Sequence, residues 1–104
     1  MTLSKEQFEE LDNFILNHNP TNKWKPIMSY NDMVNGKEIY LNLKEKEGQY
    51  YEICGTDGGG YTCYALYKSK VGIIYLFTIS IQTLTSYFIV DDNYFNNVIV
   101  SYSP

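Results

Sequence analysis

The side chains that most often do chemistry are scarce in this sequence. The single histidine, His18, sits in the run Asn17-His18-Asn19-Pro20. Its ordinary role there is a solvent-facing residue at a helix C-terminus, where the dipole favours it. Metal binding has no better basis. One His and two Cys make neither a four-Cys nor a two-Cys, two-His set, nor the three-His set of many catalytic zinc sites. The Asp/Asn ladder with Gly and a closing Glu that calcium loops use is also missing. Asp91 and Asp92 are adjacent carboxylates, followed by Asn93 and Tyr94 in what reads as a solvated turn. The expectation is no catalytic residue, no metal ligand and no cofactor, hence no enzyme.

Cys54 and Cys63 flank the segment Gly55-Thr56-Asp57-Gly58-Gly59-Gly60-Tyr61. If the chain reverses at Gly58-Gly59, residue 57 pairs with 60, and 54 falls opposite 63 at a non-hydrogen-bonded position. A cross-strand disulfide is then geometrically conceivable. A cytoplasmic location favours the reduced, partly buried pair instead. The spacing is not C-x-x-C, so redox chemistry of the thioredoxin type has no support. Three consecutive glycines permit positive φ and close backbone approach. A phosphate-binding loop would need Gly-Lys-Ser/Thr and a following helix, and here a strand follows. The ordinary reading is a hairpin or bulged turn; the functional one is an exposed acidic loop that touches a partner. The candidate partner-binding residues are therefore Asp57, Gly58, Gly59, Gly60 and Tyr61, together with Asp91, Asp92 and Tyr94.

Charge indicates what that partner would be. The chain carries twelve acids and eight lysines, a net charge of -4, and no Arg. Arg is the residue best suited to bidentate phosphate and base-edge contacts, and phosphate neutralisation supplies most nucleic-acid affinity. Nucleic acid is thus excluded as the expected partner. A basic protein fits better, because an acidic field steers a cationic one toward it. Eleven Tyr and ten Asn with no Arg resemble the coding bias of an AT-rich genome, such as a low-GC bacterium or its phage. Tyr50, Tyr51, Tyr61, Tyr64, Tyr67, Tyr75 and Tyr87 are mostly packing residues in this reading. So many hydroxylated rings exceed what a small core hides, which leaves some for an aromatic binding face.

The elements that must position these residues follow from length and pattern. The 104 residues make a single α+β domain over 1–104, long enough to bury a core without staples. The N-terminus lacks an apolar signal region, and the longest apolar run, Val71 to Ile81, is too short to cross a bilayer. The expectation is a cytoplasmic protein with no membrane contact. Ser4 and Gln7 form a capping box, with Leu3 and Phe8 as a hydrophobic staple, opening a helix whose apolar face carries Phe8, Leu11 and Ile15. Asn19 before Pro20 ends it.

Residues 20 to 26 are a loop holding Trp24. Ile27 to Val34 reads either as a strand or as a short helix capped by Ser29, the latter favoured, before a turn at Asn35-Gly36. Ile39, Leu41 and Leu43 alternate with polar residues, so Lys37 to Leu43 reads as a strand and Lys44 to Gly48 as a turn. Further strands are expected at Gln49–Cys54, Thr62–Lys68, Val71–Gln82, Thr85–Val90 and Asn97–Tyr102. The resulting architecture is an N-terminal helix packed on an antiparallel sheet of five or six strands.

The segment Tyr51-Glu52-Ile53-Cys54-Gly55-Thr56-Asp57-Gly58-Gly59-Gly60-Tyr61-Thr62-Cys63-Tyr64-Ala65-Leu66 resembles part of the SUKH superfamily of bacterial immunity proteins. There a strand enters an Asp-Gly-rich turn and leaves in a strand of alternating apolar residues. Pro26-Ile27-Met28-Ser29-Tyr30, continuing to Asn35-Gly36, is similar to that family's Pro-x-x-Tyr helix and Asn-Gly turn, in compressed form. The resemblance implies an α+β fold and a cytoplasmic protein that binds and neutralises a toxin, with Asp57 to Tyr61 matching the family's turn. The leading expectation is a non-enzymatic inhibitor covering a toxin's surface. A phage-encoded anti-defence inhibitor of a host factor shares the same physics. A small-molecule-binding domain is the rival class. A subunit that homodimerises through a sheet edge or a Tyr-rich face is the third.

Overall fold

The structure, a computed structural model, describes residues 4–17, 29–56, 62–80 and 83–102. Helix α1 spans Lys5–Asn17 and opens on the expected capping box: Ser4 N–H donates to Gln7 Oε1 at 2.9 Å and Gln7 N–H to Ser4 Oγ at 3.2 Å. Helix α2 spans Tyr30–Glu45 and is capped by Ser29, whose hydroxyl accepts from Asp32 N–H. Strands β1 (Tyr50–Thr56), β2 (Thr62–Lys68), β3 (Ile74–Ser80) and β4 (Thr83–Ile89) follow, and helix α3 (Asp92–Tyr102) closes the order. The fold is α+β as expected, but among the described residues the antiparallel sheet has four strands in the order β1-β2-β3-β4, not five or six.

Two expected strands are helical. Lys37 to Leu43 belongs to α2, which runs through Asn35-Gly36 without turning. Its buried residues Met33, Gly36, Ile39, Tyr40 and Leu43 recur every three or four positions, while Leu41 is 47% exposed. Gly36 serves close approach rather than a turn: a Cβ there would lie 3.1 Å from the Phe95 ring of α3. Asn97 to Tyr102 belongs to α3. The Asp91-Asp92-Asn93-Tyr94 run is that helix's start, with Tyr94 N–H donating to Asp91 Oδ1 at 3.0 Å. Val71 to Ile73 is a turn rather than the beginning of β3. Gly72 N–H donates to Ser69 O, Gly72 sits at φ +85°, and Ser69 N–H closes on Ile73 O. This is a three-residue hairpin loop with Gly in the left-handed position.

Helices cover both sheet faces. α2 and α3 bury Met33, Leu43, Cys54, Leu66, Leu76 and Phe95 on one side. On the other, α1 buries Leu11 and Ile15 against Ala65, Tyr67, Tyr75 and Phe77. Each fully buried aliphatic or aromatic side chain contributes about 2 kcal/mol. α1 lies across the strands, since Phe8 packs at a tilt on Tyr51 of β1 (4.4 Å) and Phe14 meets Tyr87 of β4 edge-on (5.3 Å).

Register fixes which backbone groups point where. Val90 N–H donates to Ile74 O, and Tyr75↔Ile89 and Leu76↔Phe88 continue that ladder. Hydrogen-bonded and open pairs alternate in an antiparallel ladder. Phe88 therefore pairs with β3, while the N–H and C=O of Tyr87 and Ile89 face the outer edge. β1 pairs Ile53 with Ala65 but Gly55 with Tyr64, so Cys54 is the extra residue of a bulge. This overturns the expected 54/63 pairing: Cys63 lies opposite Thr56. Cys54 packs on the α2/α3 side and Cys63 on the α1 side, and both are buried thiols outside any disulfide.

Candidate functional site

The expected site residues separate. Asp57, Gly58, Gly59, Gly60 and Tyr61 lie outside the described residues, as do His18, Trp24 and the Pro26–Met28 stretch. Asp91, Asp92 and Tyr94 are described and hold α3 in place. Asp91 caps it. Asp92 Oδ1 accepts from Lys44 Nζ of α2 at 2.7 Å and its carboxylate also accepts from the Tyr40 hydroxyl. These donors hold the Asp92 carboxyl below its ordinary value, the Lys44 hydrogen bond first. Burial, then the same carboxylate, pushes the Tyr40 hydroxyl up to about 12. Tyr94 packs its ring edge-on to Phe95 at 5.0 Å. The Asp91/Asp92 pair is thus a helix cap and an interhelical clasp.

The structure brings together a different polar group, beneath α1. Asp12 is fully buried. The spacing Phe8, Leu11, Asp12, Ile15 (i, i+3, i+4, i+7) puts this carboxylate on the helix's apolar face. Its Oδ1 accepts from the Tyr67 hydroxyl of β2, which in turn accepts from Gln49 Nε2 at 2.7 Å. Lys70 Nζ, from the β2–β3 turn, stands 3.3 Å from Asp12 Oδ2. Oδ2 thus has a charge partner but no hydrogen bond among the described residues. Burial first and Asp12 second raise the Tyr67 hydroxyl well above its ordinary value. Burial likewise raises Tyr75. A phenol held this firmly in its protonated form is a donor, not a base. The helical spacing just given is the signal that locates Asp12 in the sequence.

Gln49 carries this network to the surface. It lines an open groove of about 290 Å³ with Ser4, Lys5, Phe8, Glu9 and Tyr51, between the first turns of α1 and the start of β1. Cys54 Sγ donates to Tyr64 O, and burial pushes the thiol up to about 12. Among the described residues no group of three His, Cys, Asp or Glu could hold a metal ion. No helix described is long and apolar enough to cross a membrane.

Charge on the surface is sorted. Lys37 donates to Asn96, Lys44 to Asp92, Lys46 to Glu52 and Lys68 to the Lys46 carbonyl, while Lys70 faces Asp12. Among the described lysines only Lys5 has no such partner. The exposed carboxylates Glu6, Glu9 and Glu10 are paired with none of these lysines. With Asn13 and Leu16 they occupy positions i, i+3, i+4, i+7 and i+10, a single stripe on the outer side of α1, opposite its buried face. Comparison with known protein families, with curated proteins and with solved structures finds no match.

Proposed function

We propose that this chain is a non-enzymatic protein-binding inhibitor of the bacterial immunity kind, which covers the working surface of a basic toxin. The observation that carries the reading is the sorting of charge. The described lysines, apart from Lys5, spend their charge on contacts within the chain, while α1 turns Glu6, Glu9 and Glu10 outward. A cationic protein meets an acidic ridge with which no described lysine forms an ion pair, with Leu16 (45% exposed) beside it as an apolar contact. This moves the proposed contact from Asp91 and Asp92, which are occupied in holding α3, to α1. A phage-encoded inhibitor of a basic host factor would use the same surface. A small-molecule role has less support, because the groove at Gln49 is open and lies at the small end of the range for ligand sites, about 300 Å³ upward.

The test starts from capture of partners by the tagged chain from its native host, with quantitative mass spectrometry. The triple variant Glu6→Lys, Glu9→Lys, Glu10→Lys is run beside it. A basic protein retained by the parent and lost by the triple variant, and whose own activity falls on stoichiometric addition of the parent chain, supports the reading. Equal capture by both chains, or a captured protein whose activity is unaffected, refutes it.

A further inference from the structure

We infer that two copies of this chain join β4 to β4 across a two-fold axis, forming one continuous antiparallel sheet. β4 is an edge strand, hydrogen-bonded among the described residues to β3 alone. Its sequence, Thr83-Leu84-Thr85-Ser86-Tyr87-Phe88-Ile89, contains no charge and no proline. Edge strands are normally guarded by such residues, because an open row of N–H and C=O groups templates another strand. The opposite edge shows what guarding looks like here. At β1 the Cys54 carbonyl is taken by the Asn35 amide at 3.1 Å, Cys54 is bulged, and Glu52 carries an ion pair with Lys46.

A second copy suits the β4 edge for two reasons. The chain is acidic, at -4, so two copies repel across most of their surfaces, and an uncharged edge is where they can approach. The register is also self-complementary. A bulge between the Thr78 and Ile79 pairings confines regular pairing to Ser86–Ile89. Within it the outward-facing residues are Tyr87 and Ile89. Setting Tyr87 of one copy opposite Ile89 of the other places the dyad at Phe88. Both pairs then fall in hydrogen-bonding positions and exchange N–H···O bonds, as an isologous contact requires. On the α1 side Ile89 and Phe14, each 37% exposed, flank half-buried Tyr87, so the joint also covers apolar surface. With only a short regular stretch, the contact belongs to the small, reversible class of interfaces.

The test is sedimentation velocity over a concentration series, combined with amide hydrogen exchange. The parent chain is expected to shift from its 12.1 kDa protomer toward twice that mass as concentration rises. The Tyr87 and Ile89 amides should become slower to exchange over the same series. Ile89→Lys, which sets like charges on both sides of the dyad, should weaken association at least about tenfold. Ile89→Pro, which removes an outward N–H and spares the β3 ladder, should do the same. Glu52→Gln on the far edge should leave association unchanged. A protomer at every concentration overturns the inference. So does a dimer indifferent to both Ile89 variants, or Tyr87 and Ile89 amides that exchange at the same rate at all concentrations. The amide measurement uses the parent chain, so it decides the matter even if a variant fails to fold.

Discussion

The buried network under α1 makes a prediction about non-additivity. Tyr67→Phe removes a hydroxyl that accepts from Gln49 at 2.7 Å and donates to Asp12. A buried hydrogen bond to a charged group contributes about 1.5–3 kcal/mol and a neutral one about 1. The greater harm falls on Asp12. Its Oδ2 makes no hydrogen bond among the described residues, so the variant leaves a carboxylate that is 1% exposed with, among those residues, Lys70 at 3.3 Å, itself 63% exposed. Leaving a buried charged group without its hydrogen bond costs about 3 kcal/mol. Tyr67→Phe should therefore destabilise by about 3 kcal/mol. Asp12→Leu, which orphans the Tyr67 hydroxyl, should cost about 2. The double variant replaces the polar pair with apolar groups, a swap that is often near neutral, and should cost about 1 kcal/mol. Urea denaturation followed by circular dichroism measures all three, with m-values checked for constancy. The expected coupling is about 4 kcal/mol. Additivity within about 0.5 kcal/mol would refute the reasoning, because it would mean that the two groups do not interact in the folded chain.

Three further outcomes follow from other contacts. Tyr40, Tyr67 and Tyr75 all have hydroxyls raised above the ordinary tyrosine value, so the folded chain retains protons that the unfolded chain releases. The tyrosine contribution to stability should be level up to about pH 10 and fall above it, less steeply in Tyr67→Phe, while the raised Cys54 thiol adds a fall that begins at about pH 9, as read from urea midpoints across the alkaline range. Gly36→Leu forces a side chain into the Phe95 ring, 3.1 Å from where its Cβ would sit, and should cost about 2 kcal/mol, with increased exchange of α3 amides. Mass spectrometry after alkylation should find Cys54 unmodified in the native chain at neutral pH, and both thiols modified after denaturation without reductant; a mass fixed by a disulfide would contradict the opposite-face placement.

The elements legible in the sequence are those whose signals are local. The Ser4/Gln7 box begins α1 where it was read, and β2 has the bounds that its alternation gave. The losses occur where two periodicities share residues. Ile39, Leu41 and Leu43 alternate as in a strand, yet Ile39, Tyr40 and Leu43 serve equally as a helical stripe, and packing against Phe95 chose the helix. Asn35-Gly36 has turn chemistry, but tertiary contact used the glycine for its missing Cβ. Val98, Ile99 and Val100 are β-branched and favour strands, but Asp91 capped a helix that placed Phe95 and Ile99 on α2's side. The candidate site was less legible than the fold. Asp91 and Asp92 stood out as a pair, but their partners, Lys44 and the Tyr94 amide, are visible only in three dimensions. Asp12 looked ordinary because acids abound at that end of the chain, and only its phase relative to Phe8, Leu11 and Ile15 separates it from Glu9 and Glu10.

Each strand of the sheet neighbours the one before it in the chain, so every strand-to-strand contact closes a short loop. The sheet can zip together one hairpin at a time, and its assembly needs no distant partner. α1 is different: its clasp joins residue 12 to residue 67, and its rings reach from β1 to β4. It has no surface to dock on until the whole meander exists. Although α1 precedes the sheet in the chain, it is therefore the last of these elements to settle, and its amides should open well before those of β2 and β3 when the protein breathes.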